Sequence, residues 1–270
     1  MKIRKLLYTL SIVSLMTSCA ATSFYQVYTV QPTQESITSS DELFYEDENC
    51  KISYNLWDNG GDIGFNFHNK TDQNIYVRLN ESNFILNGFA YDYFKHRTFT
   101  ESENNSTSTA KSATNYMALS GINILTNKSK LAMAASVGHA VAIKENPIIC
   151  IPSHTTKRIS EYSINHTLIR NCDLFQYPKS KEIKTKSYTE QKSPIVFSNR
   201  ITYEINGSSK LVENEFFVSE ITNYPEPNFF EFEREEFCGQ KSLSKVRKYR
   251  FYDPNKFYIK YSKGKNAWKH

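Results

Sequence analysis

The side chains best suited to nucleophilic or metal chemistry in this 270-residue chain are its five cysteines and six histidines. A nucleophilic thiolate needs a base within hydrogen-bond reach. The nearest pairs are Cys150 with His154 and His166 with Cys172, but residues four apart in a strand are separated by about 13 Å. No histidine lies three or four residues from another, and no two cysteines have C-x-x-C spacing. The spacing therefore predicts neither a metal site nor a redox motif, and we expect no cofactor.

Carboxylates offer two further candidates. Segment 229–237 (FFEFEREEF) contains four glutamates, and glycoside hydrolysis needs two carboxyl groups on opposite sides of one sugar bond. Alternation of phenylalanine with glutamate is equally typical of a strand with one solvated side. Segment 58–62 (DNGGD) contains oxygen ligands but not in the order of a calcium loop, and a hairpin turn explains its composition. We predict structural roles for both segments.

Cys19 stands at the end of a short apolar segment. Residues 2–5 carry three positive charges, residues 6–16 are mostly apolar, and two small residues precede the cysteine. This order is typical of a secretory signal peptide. The apolar part is too short for a membrane-spanning helix, which needs about 20 residues.

Residues 15–19, Leu-Met-Thr-Ser-Cys, resemble the lipobox, the cleavage signal of bacterial lipoproteins, although its most typical form has leucine and then alanine or serine in place of methionine and threonine. The resemblance implies removal of residues 1–18 and lipidation of Cys19, with acyl chains that anchor the protein stably to a membrane. Ala20 follows, whereas aspartate there resembles the enterobacterial signal for retention at the inner membrane. We therefore expect an outer-membrane lipoprotein. Its periplasmic face is favoured over the cell surface, because residues 20–34 contain no acidic export cluster.

Four cysteines remain after Cys19, and an exported protein meets an oxidising compartment in which disulfides form. Four cysteines allow three pairings. Cys172 and Cys238 lie in loop-like surroundings, so we predict a disulfide between them, whereas Cys50 and Cys150 occupy strand-like segments.

Composition and pattern predict an all-β protein with minor helix. Aromatic residues make up 14% of the chain, and aromatic and β-branched residues favour strands. Apolar residues alternate with polar ones on both sides of the turn at 58–62, in 193–207 and in 256–264, and turn residues separate about nine such segments. This spacing predicts an immunoglobulin-like β-sandwich.

Three parts are expected in the chain. Residues 1–18 form the signal peptide, residues 19–41 a polar membrane tether, and residues 42–270 the sandwich. A Ser/Thr/Ala-rich insertion interrupts the sandwich at about 100–145, and we expect it to be mobile and partly helical. A membrane-touching loop is the alternative for its apolar part, 131–143.

The C-terminal segment 241–270 combines ten lysines or arginines with several aromatic residues. Such a segment can bind anionic polymers, or it can be a final strand whose lysines flank an aromatic face. The net charge falls from +5 to about +2 when the three positive charges of residues 1–18 are removed. This small charge argues against a nucleic-acid partner and leaves an envelope protein or glycan as the expected one.

The whole chain resembles a group of lipoproteins from gut Bacteroidales that has no assigned activity. The resemblance is carried by SFYQVYTVQP after Cys19, by segment 50–77, by FCGQKS and by the C-terminal KFYIKYSKGKNAWKH. It implies an anchored protein of the Gram-negative envelope. With no convergent acid, base or nucleophile, we expect a non-catalytic binding or assembly module. An envelope hydrolase acting on glycan or peptide and a surface-exposed protein that contacts host or phage remain as alternatives.

Overall fold

The computed structural model describes residues 23–39, 42–103 and 139–264. Residues 1–22, with the predicted signal peptide and Cys19, lie outside the described residues, and so does most of the predicted insertion. Almost all regular structure in the described ranges is antiparallel β-strand. The predicted all-β class is confirmed.

The described residues form eighteen strands. In chain order they are β1 (Ser23–Pro32), β2 (Ile37–Ser39), β3 (Leu43–Glu46), β4 (Cys50–Tyr54), β5 (Phe65–Asn69), β6 (Ile75–Arg78), β7 (Asn83–Leu86), β8 (Phe89–Asp92), β9 (Thr98–Glu103), β10 (His139–Lys144), β11 (Ile148–Ile151), β12 (Thr156–Ile159), β13 (Thr185–Ser187), β14 (Val196–Ile205), β15 (Ser208–Pro225), β16 (Phe230–Phe237), β17 (Gln240–Tyr249) and β18 (Lys256–Ser262). One short helix, α1 (Glu226–Phe229), and two 3-10 turns (Leu79–Glu81 and Glu190–Lys192) complete the regular structure.

Two antiparallel sheets enclose the main core. The larger has the strand order β11-β6-β14-β15-β1-β18, with β7, β8 and β13 paired beside it, and the smaller has the order β12-β5-β4-β3-β2. Aromatic rings meet across the interface, for example Phe67 with Tyr203 at 5.5 Å and Tyr54 with Phe216 at 5.3 Å between ring centroids. This packing fits a β-sandwich. The immunoglobulin-like order of its strands stays a prediction.

The predicted tether is wrong for residues 23–39. Residues 23–32 form β1, which pairs with β15 on one side and β18 on the other. Both faces of β1 are also covered, because Tyr28 lies in the main core and Tyr25 lies in a second buried cluster on the opposite side. Residues 24–28 are therefore buried without the alternation expected of a strand with one wet face. Only residues 20–22 therefore separate Cys19 from the folded strand.

Two of the hairpins have different turns. Strands β14 and β15 are joined at Asn206 and Gly207, whose φ angles of 53° and 75° suit the tight turn expected of this dipeptide. Strands β4 and β5 also pair, but the connection is a longer loop. In it, Gly61 (φ 76°) lies so close to Ile164 and Phe257 that a Cβ would be 2.8 and 2.9 Å from their side chains.

The chain divides into two compact units, one of residues 1–94 and 147–270 and one of residues 95–146. In the second unit, β9 and β10 form an antiparallel hairpin. Glu145 joins the two ends of this hairpin, because the Glu145 carboxylate accepts hydrogen bonds from the backbone N–H groups of Lys95 and Arg97, both at 3.0 Å. The predicted partly helical insertion lies mostly at 104–138, outside the described residues.

An outer aromatic cluster covers the other face of the larger sheet. It consists of Tyr25, Val27, Phe229 and Tyr258, with Trp57, Tyr224, Phe230 and Phe251 packed against them. The chain leaves β15 at Pro225, forms α1, and continues as the β16–β17 hairpin, so this segment lies against the outside of β1 and β18. Pro225 is the last residue of β15, and Pro227 follows within α1.

Candidate functional site

Side chains along β1 and β18 alternate between the two faces of the larger sheet, and those on the outer face help to form the candidate site. Tyr28 on β1 and Phe257 on β18 point into the main core, where their rings stack at 4.5 Å. Tyr25 and Tyr258 point to the opposite side and join the outer aromatic cluster. Register places Tyr25 beside Lys260 on the neighbouring strand. One pair of strands therefore supplies both core and site residues.

The outer cluster is built from closely packed rings. Tyr25 stacks on Phe229 at 4.0 Å with nearly parallel planes, and Phe230 meets Tyr25 edge-on at 5.4 Å. Tyr249 of β17 lies 5.2 Å from Phe230 and 5.7 Å from Tyr258. Such offset and edge-to-face pairs contribute about 0.5–1.5 kcal/mol each beyond burial. The cluster therefore fixes the ring positions around the opening beside it.

An open cleft of about 390 Å³ lies at this cluster. We call it the aromatic cleft. Its lining residues are Tyr25, Asn59, Phe230, Arg247, Tyr249, Tyr258 and Lys260. The volume falls in the range of about 300–1,000 Å³ that is usual for small-ligand sites, and aromatic walls with a few convergent polar groups are also usual there.

Two cations border the aromatic cleft. The guanidinium carbon of Arg247 lies 3.3 Å from the centroid of the Phe230 ring, and its Nη2 forms an ion pair with Glu226. Lys260 Nζ lies 6.0 Å from the centroid of Tyr25. The Lys260 backbone N–H donates to Asn59 Oδ1 at 3.0 Å, which fixes the 58–62 loop against β18. Among the described residues, no carboxylate pairs with the Lys260 ammonium group.

Hydroxyl groups add neutral hydrogen-bonding capacity. The hydroxyl oxygens of Tyr249 and Tyr258 are 3.2 Å apart. Burial, and then the hydrogen bond with Tyr249, raise the pKa of Tyr258 well above its ordinary value. The Tyr258 phenol therefore stays protonated at neutral pH and can donate or accept a hydrogen bond.

Trp57 supports the cluster at a small energetic cost. Its ring lies 5.2 Å from Tyr258 and 5.3 Å from Tyr249. Its indole Nε1 is buried and has no hydrogen-bond partner among the described residues. An unpaired buried donor costs about 1–3 kcal/mol. The fully buried Asn214 Oδ1, next to Tyr54 of the main core, likewise has no partner among the described residues.

The aromatic cleft can stack a flat apolar surface on its rings and pair an anion with its cations. Its described lining includes no carboxylate, imidazole or thiol. The chemistry that these residues support is therefore recognition of a ligand with a carboxylate or phosphate group and a ring.

A second opening, of about 430 Å³, lies on the smaller sheet and is lined partly by Glu42, Lys51 and His68. Lys51 Nζ is paired with Glu42 at 2.8 Å and lies 4.0 Å from the Phe44 ring centroid. The Lys51 ammonium group is already paired, and Tyr54 is the one tyrosine, phenylalanine or tryptophan among the described residues that line this opening. We therefore regard the aromatic cleft as the candidate site.

The predicted disulfide is not formed in the structure. Cys172 and Cys238 are both free and exposed, and Cys50 and Cys150 are free as well. Cys238 (φ 50°) and Gly239 form the turn between β16 and β17, whereas Cys172 belongs to a loop before β13. The loop-like surroundings of both cysteines were correctly inferred, but shared loop character does not bring two residues together.

The other sequence candidates do not converge. Cys150 and His154, considered above as a nucleophile and its base, lie on β11 and in the turn after it. The His154 side chain pairs with Asp72 instead, with 2.9 Å between Nε2 and Oδ1. All four glutamates of 229–237 lie on β16. Two of them pair with lysines of β17, Glu233 with Lys248 at 2.6 Å and Glu236 with Lys241 at 4.0 Å. No group of three or more potential metal ligands exists among the described residues.

The basic and aromatic segment 241–270 is where sequence reasoning came closest to the site. Arg247, Tyr249, Tyr258 and Lys260 all come from it. The remaining walls come from β1, the 58–62 loop and the start of β16. Tyr25 was missed because residues 19–41 were predicted as a tether, although consecutive apolar residues in SFYQVYTV are typical of a strand covered on both faces.

No helix in the described part of the chain is long and apolar enough to cross a membrane. Comparison of the chain with protein-family models, with curated proteins and with solved structures finds no match. The geometry of the aromatic cleft and the N-terminal sequence are therefore the observations from which a function is inferred.

Proposed function

We propose that the chain is a lipid-anchored, non-catalytic binding module of the bacterial envelope that holds an acidic glycan in the aromatic cleft. The observation that carries the proposal is the lining itself. Four aromatic rings and two cations surround about 390 Å³, and no carboxylate, imidazole or thiol accompanies them in the described lining.

An acidic sugar matches each kind of group in the cleft. One face of a sugar ring exposes C–H groups that can lie against Tyr25, Phe230 or Tyr249. A carboxylate can form charge-assisted hydrogen bonds with Lys260 or Arg247. Ring hydroxyls can exchange hydrogen bonds with the phenols and with the Asn59 side chain.

The anchor would hold the folded domain close to the bilayer. Cys19 precedes Ser23, the first residue of β1, by four positions, and four extended residues span at most about 14 Å. In this proposal the domain belongs to the outer membrane, with its periplasmic face favoured, and an envelope glycan lies within direct reach of the cleft.

A fluorescence titration tests ligand binding. Trp57 and Trp268 are the two tryptophans of the chain, so Trp268→Phe leaves Trp57, beside the cleft, as the reporter. We expect galacturonic acid, a simple acidic sugar, to change Trp57 emission in the detergent-solubilised full-length protein, and galactose to have little effect. Absence of saturable binding by either sugar would contradict the cleft assignment.

Two lysine variants locate the binding. Lys260→Gln removes a cation from the aromatic cleft, and we expect it to weaken galacturonic acid binding about tenfold, the loss of one charge-assisted hydrogen bond. Lys248→Gln removes the same charge from the β16–β17 hairpin, on the side paired with Glu233, and should leave the affinity unchanged. Equal losses in both variants would indicate a general charge effect.

The anchor is tested separately by feeding cells a palmitate analogue. We expect the wild-type protein to be labelled and membrane-bound, and the Cys19→Ala variant to be neither. Protease treatment of intact cells then distinguishes the periplasmic location from the surface location. An unlabelled, soluble wild-type protein would remove the anchor from the proposal without affecting the cleft.

A further inference from the structure

The β16–β17 hairpin has two chemically different faces. Directly paired residues of antiparallel strands project to the same side, and the pairs Phe230–Tyr249, Phe232–Arg247 and Arg234–Lys245 alternate with Glu231–Lys248 and Glu233–Val246. The first set, which includes three residues of the aromatic cleft, holds aromatic rings and cations. We call Phe232, Arg234, Lys245 and Arg247 the basic face. The second set holds the ion pair of Glu233 with Lys248.

The basic face carries cations in an arrangement that a hairpin alone does not favour. Arg234 and Lys245 are directly opposite each other, and like charges in that position are destabilising. Neither has an ion-pair partner in the described part of the chain, although four glutamates lie on β16. Phe232 beside them is 62% exposed. An anion on this face would relieve the repulsion and cover the ring.

The basic face is continuous with the aromatic cleft. Phe230 and Tyr249 line the cleft, and the Arg234–Lys245 pair lies four residues further along the same hairpin, a distance of about 13 Å. Arg247, which also lines the cleft, stands between the two positions. A ligand that fills the cleft and continues along the hairpin would meet Lys260 at one end and the Arg234–Lys245 pair at the other. The Phe232 ring lies between these cations.

We infer that the protein recognises a chain of acidic sugar units, with one unit in the aromatic cleft and following units along the basic face of the hairpin. This inference rests on the proposed function and extends it from a single sugar to a polymer. A flat anionic membrane is the less suitable partner for the same charges. Tyr25 and Tyr258 form walls of the cleft while being only 3% and 9% exposed, and a flat surface would not reach them.

Chain length is the decisive variable. In the full-length protein carrying Trp268→Phe, we expect an oligogalacturonate of eight units to bind at least about tenfold more tightly than galacturonic acid, after correction for the number of units, because a second contact acts at high effective concentration. The Arg234→Gln/Lys245→Gln variant should retain its affinity for the monomer and lose this gain. The tighter binding should also weaken as salt rises.

A matched control separates position from charge. Lys248→Gln/Lys157→Gln removes the same two charges, one from the opposite side of the hairpin and one from exposed β12, and should keep the gain with chain length. If this control loses the gain to the same extent, net charge rather than the basic face explains it, and the inference is overturned.

Failure of the inference can be told from failure of the proposed function. Monomer binding that needs Lys260, without any gain from chain length, would overturn the polymer inference and leave the cleft assignment standing. Absence of binding by monomer and oligomer would overturn both. Loss of binding to phosphatidylglycerol vesicles in Arg234→Gln/Lys245→Gln, with no gain from glycan length, would reassign the basic face to lipid headgroups.

Discussion

The two faces of β1 are packed in different ways. On the inner face, buried polar groups are paired. The Tyr28 hydroxyl donates to Gln26 Oε1, and Gln26 Nε2 donates to Asn223 Oδ1 at 2.9 Å. On the outer face, the rings of Tyr25, Phe229 and Tyr258 pack closely, but Trp57 Nε1 has no partner among the described residues and two cations border open space.

This difference separates residues that maintain the fold from residues available for binding. The polar groups on the inner face of β1 pair with one another, so these side chains have little capacity left for a ligand. The outer aromatic cluster is rigid because its rings pack against one another, and it leaves Tyr249 41% exposed. Rigid rings beside unpaired polar groups form a preorganised surface, which lowers the entropic cost of binding.

The strongest test compares an aromatic residue in the main core with one beside the outer aromatic cluster. Phe257 is fully buried against Tyr28, and Phe257→Ala should lower the free energy of unfolding by about 3–5 kcal/mol. Tyr249→Ala, at the exposed edge of the outer cluster, should cost less than half as much and abolish ligand binding. Chemical denaturation measures both. Equal destabilisation would mean that the outer cluster is part of the structural core.

A second comparison concerns paired and unpaired polar groups. Asn199 is fully buried, accepts a hydrogen bond from the Tyr93 hydroxyl at 2.5 Å and donates to Ile63 O at 3.0 Å. Asn199→Ala should lower the free energy of unfolding by about 1–3 kcal/mol for each group left unpaired. Trp57→Phe keeps a ring and removes an unpaired donor, so we expect a change within about 1 kcal/mol. A larger loss would indicate that the Trp57 indole has a partner in solution.

Alkaline pH should lower the stability of the protein through buried tyrosines on both faces of the larger sheet. Burial is the largest cause that raises the pKa of Tyr28 and of Tyr258 above the ordinary value of 10. Because these phenols ionise more easily in the unfolded chain, their contribution to stability is complete below pH 10 and is lost as pH rises further. Tyr28→Phe and Tyr258→Phe should each lose less stability than wild type between about pH 8 and pH 11. An identical pH dependence in all three proteins would contradict the raised pKa values.

The smallest expected effect lies on the hairpin that extends the outer face. Lys245→Gln removes one partner of the like-charged pair with Arg234, so we expect a gain in stability of about 0.2–1 kcal/mol. Hydrogen exchange of the β16 and β17 amide groups would report this local gain. A loss would show that the lysine contributes by packing along the hairpin.

Sequence reasoning succeeded where neighbouring residues determine structure. Strand β14 followed from the alternation in 193–207, and β18 followed from the alternation of Phe257, Ile259 and Tyr261. Pairing between distant segments was beyond it. Tyr25 meets Tyr224 and Lys260 through register with two strands about 200 residues away, and no local pattern encodes those partners. The sequence therefore predicted only part of the aromatic cleft. The lining residues from segment 241–270 were predicted as a group, whereas Tyr25 of β1 was not.

The interior position of β1 also has a kinetic consequence. This strand is synthesised before every other described strand, yet it lies between β15 and β18, and β18 is the last strand in the described part of the chain. The larger sheet therefore cannot be completed until β18 has been synthesised, and contacts so distant in sequence make folding slow. During that interval the segment FYQVYTV, rich in β-forming residues and without charge, is exposed to association with other chains. We expect efficient folding in the cell to depend on protection of β1 until β18 has been synthesised.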